Sequence, residues 1–164
     1  MGVVAPNGND KTSFWLSILA KQSAIGKITL FESDDCPVTI AGEVSNYDPS
    51  RYYKGQIRPK RMARQTSFAI GAAAMAFDDA DLCPEQIGLD KTVPIVLGVS
   101  TGAPEALENN MFRLFKHGPK RMSPYAISGC APQNVGVILS EQLGLETETI
   151  TLSTGCGAGL DAIA

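Results

Sequence analysis

The segment TLSTGCGAGLDAIA (residues 151–164) places one cysteine, Cys156, among glycines at the end of an apolar, β-branched run. A thiol is a nucleophile only as thiolate, and the start of a helix, with its unpaired N–H groups, favours the anion. Gly155, Gly157 and Gly159 leave room around the sulfur and permit a sharp strand-to-helix turn. The Cys156 N–H at such a turn is also placed to help hold an oxyanion. This is the layout of a nucleophile used covalently. The plainer reading is a cysteine that packs as a small apolar side chain in a tight turn. The residue pattern alone leaves both open.

Other chemistry-bearing residues are sparse. Cys36, Cys83 and Cys130 lie far from Cys156 and from one another, with no C-x-x-C pair, and His117 is the single histidine. Zinc sites want closer spacing and more histidines. Between Lys116 and Gly118, His117 reads as a solvated surface residue. Cys130 reads as a small packing residue, with pocket lining as the alternative. Arg58, Lys60, Arg61 and Arg64 form a basic stretch that is either an ordinary solvated face or a dock for an acidic partner.

These residues need elements to position them. A chain of 164 residues, 44% hydrophobic and 19% charged, is long enough for one compact domain and too apolar for disorder. Its net charge of −3 gives no overall attraction to nucleic acid. No apolar run approaches the roughly 20 residues that span a bilayer. MGVVAPNGND lacks the basic-then-apolar pattern of a signal peptide. A reduced, cytoplasmic chain is expected.

Asn9 or Asp10 is placed to cap a helix over about residues 11–21, with Phe14, Trp15, Ile18 and Leu19 on one face. Residues 37–44 alternate weakly, as an edge strand or hairpin arm does, and residues 47–62 read as a surface excursion. Residues 66–80 predict a helix with a stripe of mostly small residues: Phe68, Ala69, Ala72, Ala73, Ala76, Phe77 and Ala80. Residues 93–100 predict a strand buried on both faces. A helix begins at Pro104 and Glu105, with Leu107, Met111, Leu114 and Phe115 on one stripe. Val135, Ile138, Leu139 and Leu143 mark another, and residues 148–154 form the strand that leads into Cys156. Such alternation implies a mostly parallel sheet with helices on its faces. Function in such sheets gathers where strands end and helices begin.

STGCGAGLDAIA resembles the nucleophile segment of β-ketoacyl synthases, the decarboxylating condensing enzymes of fatty-acid and polyketide assembly. Other segments resemble that family in its own order. GVVAPNGNDKTSFWLSILAKQSAIGKIT is similar to its opening G-x-V-x-P-x-G-x-x, helix and G-x-S-G-I turn, and IAGEVSNYDP to the stretch that follows. KRMARQTSFAIGAAAMAFDDADL resembles its helix ending in D-A-G-L. GVSTGAPEAL resembles its G-x-G-x-G-G loop, and GPKRMSPY its G-P-x-x-x-S-P-x segment. The resemblance covers essentially the whole chain. S-T-G-C-x-x-G-L-D-A is most similar to the ketosynthase catalytic subunit of dissociated (type II) polyketide systems, whose companion chain-length subunit lacks the cysteine.

The resemblance implies a thiolase-like layered αβαβα fold, with residues 1–164 as its amino-terminal half and the first strand and carboxy-terminal half absent. It implies no cofactor and a decarboxylative Claisen condensation. Cys156 would accept an acyl group from an acyl carrier protein. A malonyl carrier would then decarboxylate, and its carbanion would attack the acyl thioester. The family's two histidines and lysine lie in the other half, so this chain alone is expected to acylate poorly and not to condense. Basic residues in family members at the positions of Lys60 and Arg61 make Arg58, Lys60 and Arg61 the expected carrier dock. The implied partners are the missing half and, as homodimer or heterodimer, a second subunit such as a chain-length subunit; nucleic acid and membrane are not among them. Ala63 stands where many members have Asp, and Gln133 matches an Asn, so acyl-chain length does not carry over. The alternatives are a non-catalytic interaction half-domain and another thiolase-fold enzyme such as an acyl-CoA-primed synthase. GPKRMSPY and VVAPNGND weigh against the latter.

Overall fold

The computed structural model describes residues 1–54, 62–87 and 91–164. Asp10 opens α1 (Lys11–Leu19): its carboxylate accepts from the N–H groups of Thr12 and Ser13, both at 2.9 Å. That satisfies two of the donors a helix start leaves unpaired. β1 (Ile25–Lys27) and β2 (Ile40–Gly42) form a short antiparallel ribbon. Then follow α2 (Arg64–Asp79), β3 (Val93–Gly98), α3 (Pro104–His117), α4 (Ala126–Cys130), α5 (Asn134–Leu143), β4 (Thr147–Leu152) and α6 (Ala158–Asp161).

β3 and β4 pair in parallel, from Val93 opposite Thr147 to Gly98 opposite Leu152. Parallel neighbours require a crossover, which α3, α4 and α5 supply. The core lies under this sheet, where Ile70 of α2 and Val135 and Leu139 of α5 meet Ile95 and Leu97 of β3.

Several expected faces differ. β3 is not buried on both faces: Ile95 and Leu97 point to α2 and α5, while Val96 is 43% exposed on the other side. Helices cover one face, and the other meets α6 at Gly98. In α1 the buried residue is Ser17, with Trp15, Ile18 and Leu19 exposed. In α3 it is Asn110 rather than the apolar stripe, and Phe115 is exposed. α2 buries Thr66, Ser67, Ile70 and Gly71, leaving Phe68, Ala69, Ala72, Ala73, Ala76 and Phe77 of the expected stripe half-buried and Ala80 exposed. Part of the supposed excursion at 47–62 is packed. The Tyr47 hydroxyl donates to Ser67 O at 2.7 Å, and Tyr52 and Tyr53 pack against the core. Buried Gln142 anchors the chain after them, accepting from Lys54 N–H at 2.9 Å and donating to Lys54 O at 3.0 Å.

Candidate active site

The two strands end level, so the loops that follow them lie side by side. Val99 N–H donates to Leu152 O at 2.9 Å, and the Ser153 hydroxyl donates to Ser100 O at 2.7 Å. Next comes a 3-10 turn over Gly155–Gly157, with Cys156 at its centre, and α6 starts directly after it. Gly155 has φ +71, the left-handed region that favours glycine. Gly98 sets the height of this turn above the sheet. A Cβ at that position would collide with the Ala158 carbonyl oxygen, so β3 and the start of α6 touch backbone to backbone.

Cys156 is exposed and unpaired by disulfide. As the middle residue of a 3-10 turn, its N–H has no partner inside the turn. The arrangement presents a thiol to solvent beside a backbone N–H that the turn's own bond, Ala158 N–H to Gly155 O, does not use. An incoming thioester carbonyl needs that combination: a nucleophile for its carbon and a donor for its oxygen. The neighbouring loop leads on to Cys130, whose carbonyl accepts from Ala103 N–H at 3.2 Å. Cys130 is half-buried, with its Sγ donating to Ile127 O at 3.1 Å. His117 is exposed at the end of α3, in keeping with a solvated residue. Among the described residues no group of three or more His, Cys, Asp or Glu is disposed to hold a metal. No described helix is long and apolar enough to cross a membrane.

Arg58, Lys60 and Arg61 lie outside the described residues. Arg64 opens α2, with its guanidinium donating to Val44 O at 2.6 Å and lying 5.0 Å over the Phe68 ring. It also lines an open cleft of about 640 Å³ together with Arg113, Asn109 and Glu105. A second cleft of about 520 Å³ shares Asn109 and Arg113 and adds His117 and Arg121. The two make one groove between α2, α3 and the GPKRMSPY segment. Asn110 holds that segment in place, donating to Ala106 O at 2.8 Å and accepting from Ser123 N–H at 3.0 Å. Arg113 and Arg121 were not apparent as partners in the sequence. The spacing of Arg113 and His117, four apart on one helix, was the signal available.

A profile of the family described as "Beta-ketoacyl synthase, N-terminal domain" matches residues 1–164. The chain is 29% identical over 167 residues to 3-oxoacyl-[acyl-carrier-protein] synthase 2 of Coxiella burnetii (strain RSA 493 / Nine Mile phase I), covering 99% of this chain and 39% of that protein. It is 32% identical over 165 residues to the tetracenomycin polyketide synthase ketoacyl synthase beta subunit of Streptomyces glaucescens, covering 100% of this chain and 40% of that protein. The chain thus spans about two-fifths of the length of these curated relatives. The solved structure of the ishigamide ketosynthase/chain length factor superposes on 99% of this chain and 42% of its own, with a TM-score of 0.84 at 24% identity. That likeness bears out the thiolase-like α/β fold. With the family profile running the length of the molecule, the chain belongs to the β-ketoacyl synthase family.

Proposed function

We propose that this chain carries the acyl-accepting half of a β-ketoacyl synthase, an acyltransferase of fatty-acid or polyketide assembly, with Cys156 as the nucleophile. The observation that carries the reading is the exposed Cys156 on a turn fixed directly above the β3–β4 sheet. The Cys156 thiolate attacks the carbonyl carbon of a carrier-bound thioester. The tetrahedral oxyanion forms beside the Cys156 N–H and collapses, expelling the carrier's thiolate, which takes up a proton. The acyl group is then held as a thioester on Cys156. In the second step a malonyl carrier loses carbon dioxide, its enolate carbon attacks that thioester, and the Cys156 thiolate leaves. The chain's single histidine stands on α3. In this reading, as the family resemblance implies, the groups that assist decarboxylation come from outside these 164 residues.

An acyl carrier protein is the donor in this reading, in line with the name of the Coxiella relative. A chain-length subunit fits as dimer partner, in line with the likeness to the ishigamide ketosynthase/chain length factor. The described part of the proposed carrier dock is the groove lined by Arg64, Arg113 and Arg121, of which Arg64 alone is near Arg58, Lys60 and Arg61 in sequence. The reading calls for no cofactor and for a cytoplasmic setting. Reversing charge at Arg113 and Arg121 together is expected to slow acyl transfer from a carrier protein about tenfold through lost electrostatic steering. Transfer from a small acyl thioester should stay within about twofold. Equal loss with both donors would contradict the dock.

A further inference from the structure

Thr154 and Asp161 face each other across the turn that holds Cys156. The Thr154 hydroxyl donates to Asp161 Oδ2, joining the residue that opens the 3-10 turn to the last residue of α6. The backbone between them includes Gly155, Gly157 and Gly159, and a Cβ at Gly155 or Gly159 would meet no atom within 4 Å. Apart from the buried Ala158 against Gly98, such a segment has much conformational freedom to lose and little side-chain packing to restrain it. A hydroxyl-to-carboxylate bond is charge-assisted and among the stronger single contacts available. Asp161 Oδ2 also lies 4.0 Å from the position a Cβ would take on Gly157, placing the carboxylate against the backbone that directly follows Cys156. Neither side chain makes another described hydrogen bond or ion pair, so the contact serves this loop alone.

We propose that Thr154 and Asp161 form a positioning brace that holds the Cys156 backbone in the geometry for acyl transfer without touching the acyl group. The proposal rests on Cys156 being the acyl acceptor. It is tested in the full chain with Thr154→Val, Thr154→Ser, Asp161→Ala and Asp161→Asn. One readout is amide hydrogen exchange of the peptide covering residues 153–162. The other is acylation by octanoyl-N-acetylcysteamine, located by peptide mass spectrometry, with exposed Cys36 and Cys83 as internal references. Both braced side chains are exposed, so exchange in α2 and α5 should match wild type in every variant.

The brace calls for at least about fivefold faster exchange in Thr154→Val and Asp161→Ala, a loss of order typical of one charge-assisted bond. Acylation of Cys156 relative to Cys36 should fall by a similar factor. Thr154→Ser and Asp161→Asn, which keep a donor and an acceptor, should restore both. Unchanged exchange in Thr154→Val and Asp161→Ala overturns the brace. Faster exchange with unchanged Cys156 acylation overturns its positioning role. If wild-type Cys156 is acylated no faster than Cys36 and Cys83, the acceptor reading itself fails, and the brace is then decided by exchange alone.

Discussion

Cys156 is carried by a backbone with glycine on either side, so the aim of its sulfur depends on what holds the two ends of the turn. Ser153 ties one end to Ser100, and the close approach of Gly98 to Ala158 holds the other. At this scale the sequence was informative, because a cysteine between glycines after a β-branched run constrains its own surroundings. The Asp10 cap is similarly local. The hydrogen bond from Ser13 N–H leads the contacts that hold its carboxyl below the ordinary 3.8. A lowered folded pKa contributes stability that is present above the unfolded value and lost as pH falls through the folded one. Asp10→Ala is expected to cost about 1 kcal/mol near neutrality. Because the cap protonates in acid, the gap to wild type should close below pH 3.8. Urea melts across that range check it, and a gap that widens in acid would contradict the capping account.

At the scale of elements, the order of helices and strands follows the sequence pattern closely, but several faces do not. α5 buries Val135 and Leu139 as its periodicity demands, whereas α1 and α3 bury Ser17 and Asn110. Periodicity reports which residues share a stripe; it does not report which stripe a neighbour approaches. Asn110 is buried because its amide satisfies backbone groups of α3 and the segment after it, a long-range role that no local pattern encodes. Gln142 plays the same part for Lys54. Gln142→Leu leaves the Lys54 N–H and carbonyl without these partners. It should cost about 1–3 kcal/mol in chemical denaturation, and a neutral result would show that water replaces them. Gly98→Ala forces a Cβ into the Ala158 carbonyl and should cost about 1–3 kcal/mol through overpacking. It should also slow Cys156 acylation relative to Cys36, because the turn must rise off the sheet. Unchanged stability and acylation would place the strand–helix contact elsewhere.

Across the whole molecule, large apolar side chains stand exposed on α1, on the open face of the sheet and beyond Cys156. Trp15 is 58% exposed, Ile150 51%, Leu160 75% and Ile163 85%. Exposed apolar surface is common at contacts with other protein. Under the proposed function it is where the rest of a condensing enzyme packs, consistent with a chain that spans about two-fifths of its relatives' length. Family membership and fold were legible because the matching motifs run the length of the chain in order. The groove with Arg113 and Arg121 was not, because it is assembled from segments that only the fold brings together. Cys156 alone among the exposed cysteines is expected to accept an acyl group. Incubating the protein with an acyl-loaded carrier protein and mapping the adduct by peptide mass spectrometry tests it most directly. A thioester adduct is expected on Cys156 and not in Cys156→Ala, with Cys36 and Cys83 unmodified. An adduct spread evenly over Cys36, Cys83 and Cys156, or one that persists in Cys156→Ala, would contradict it.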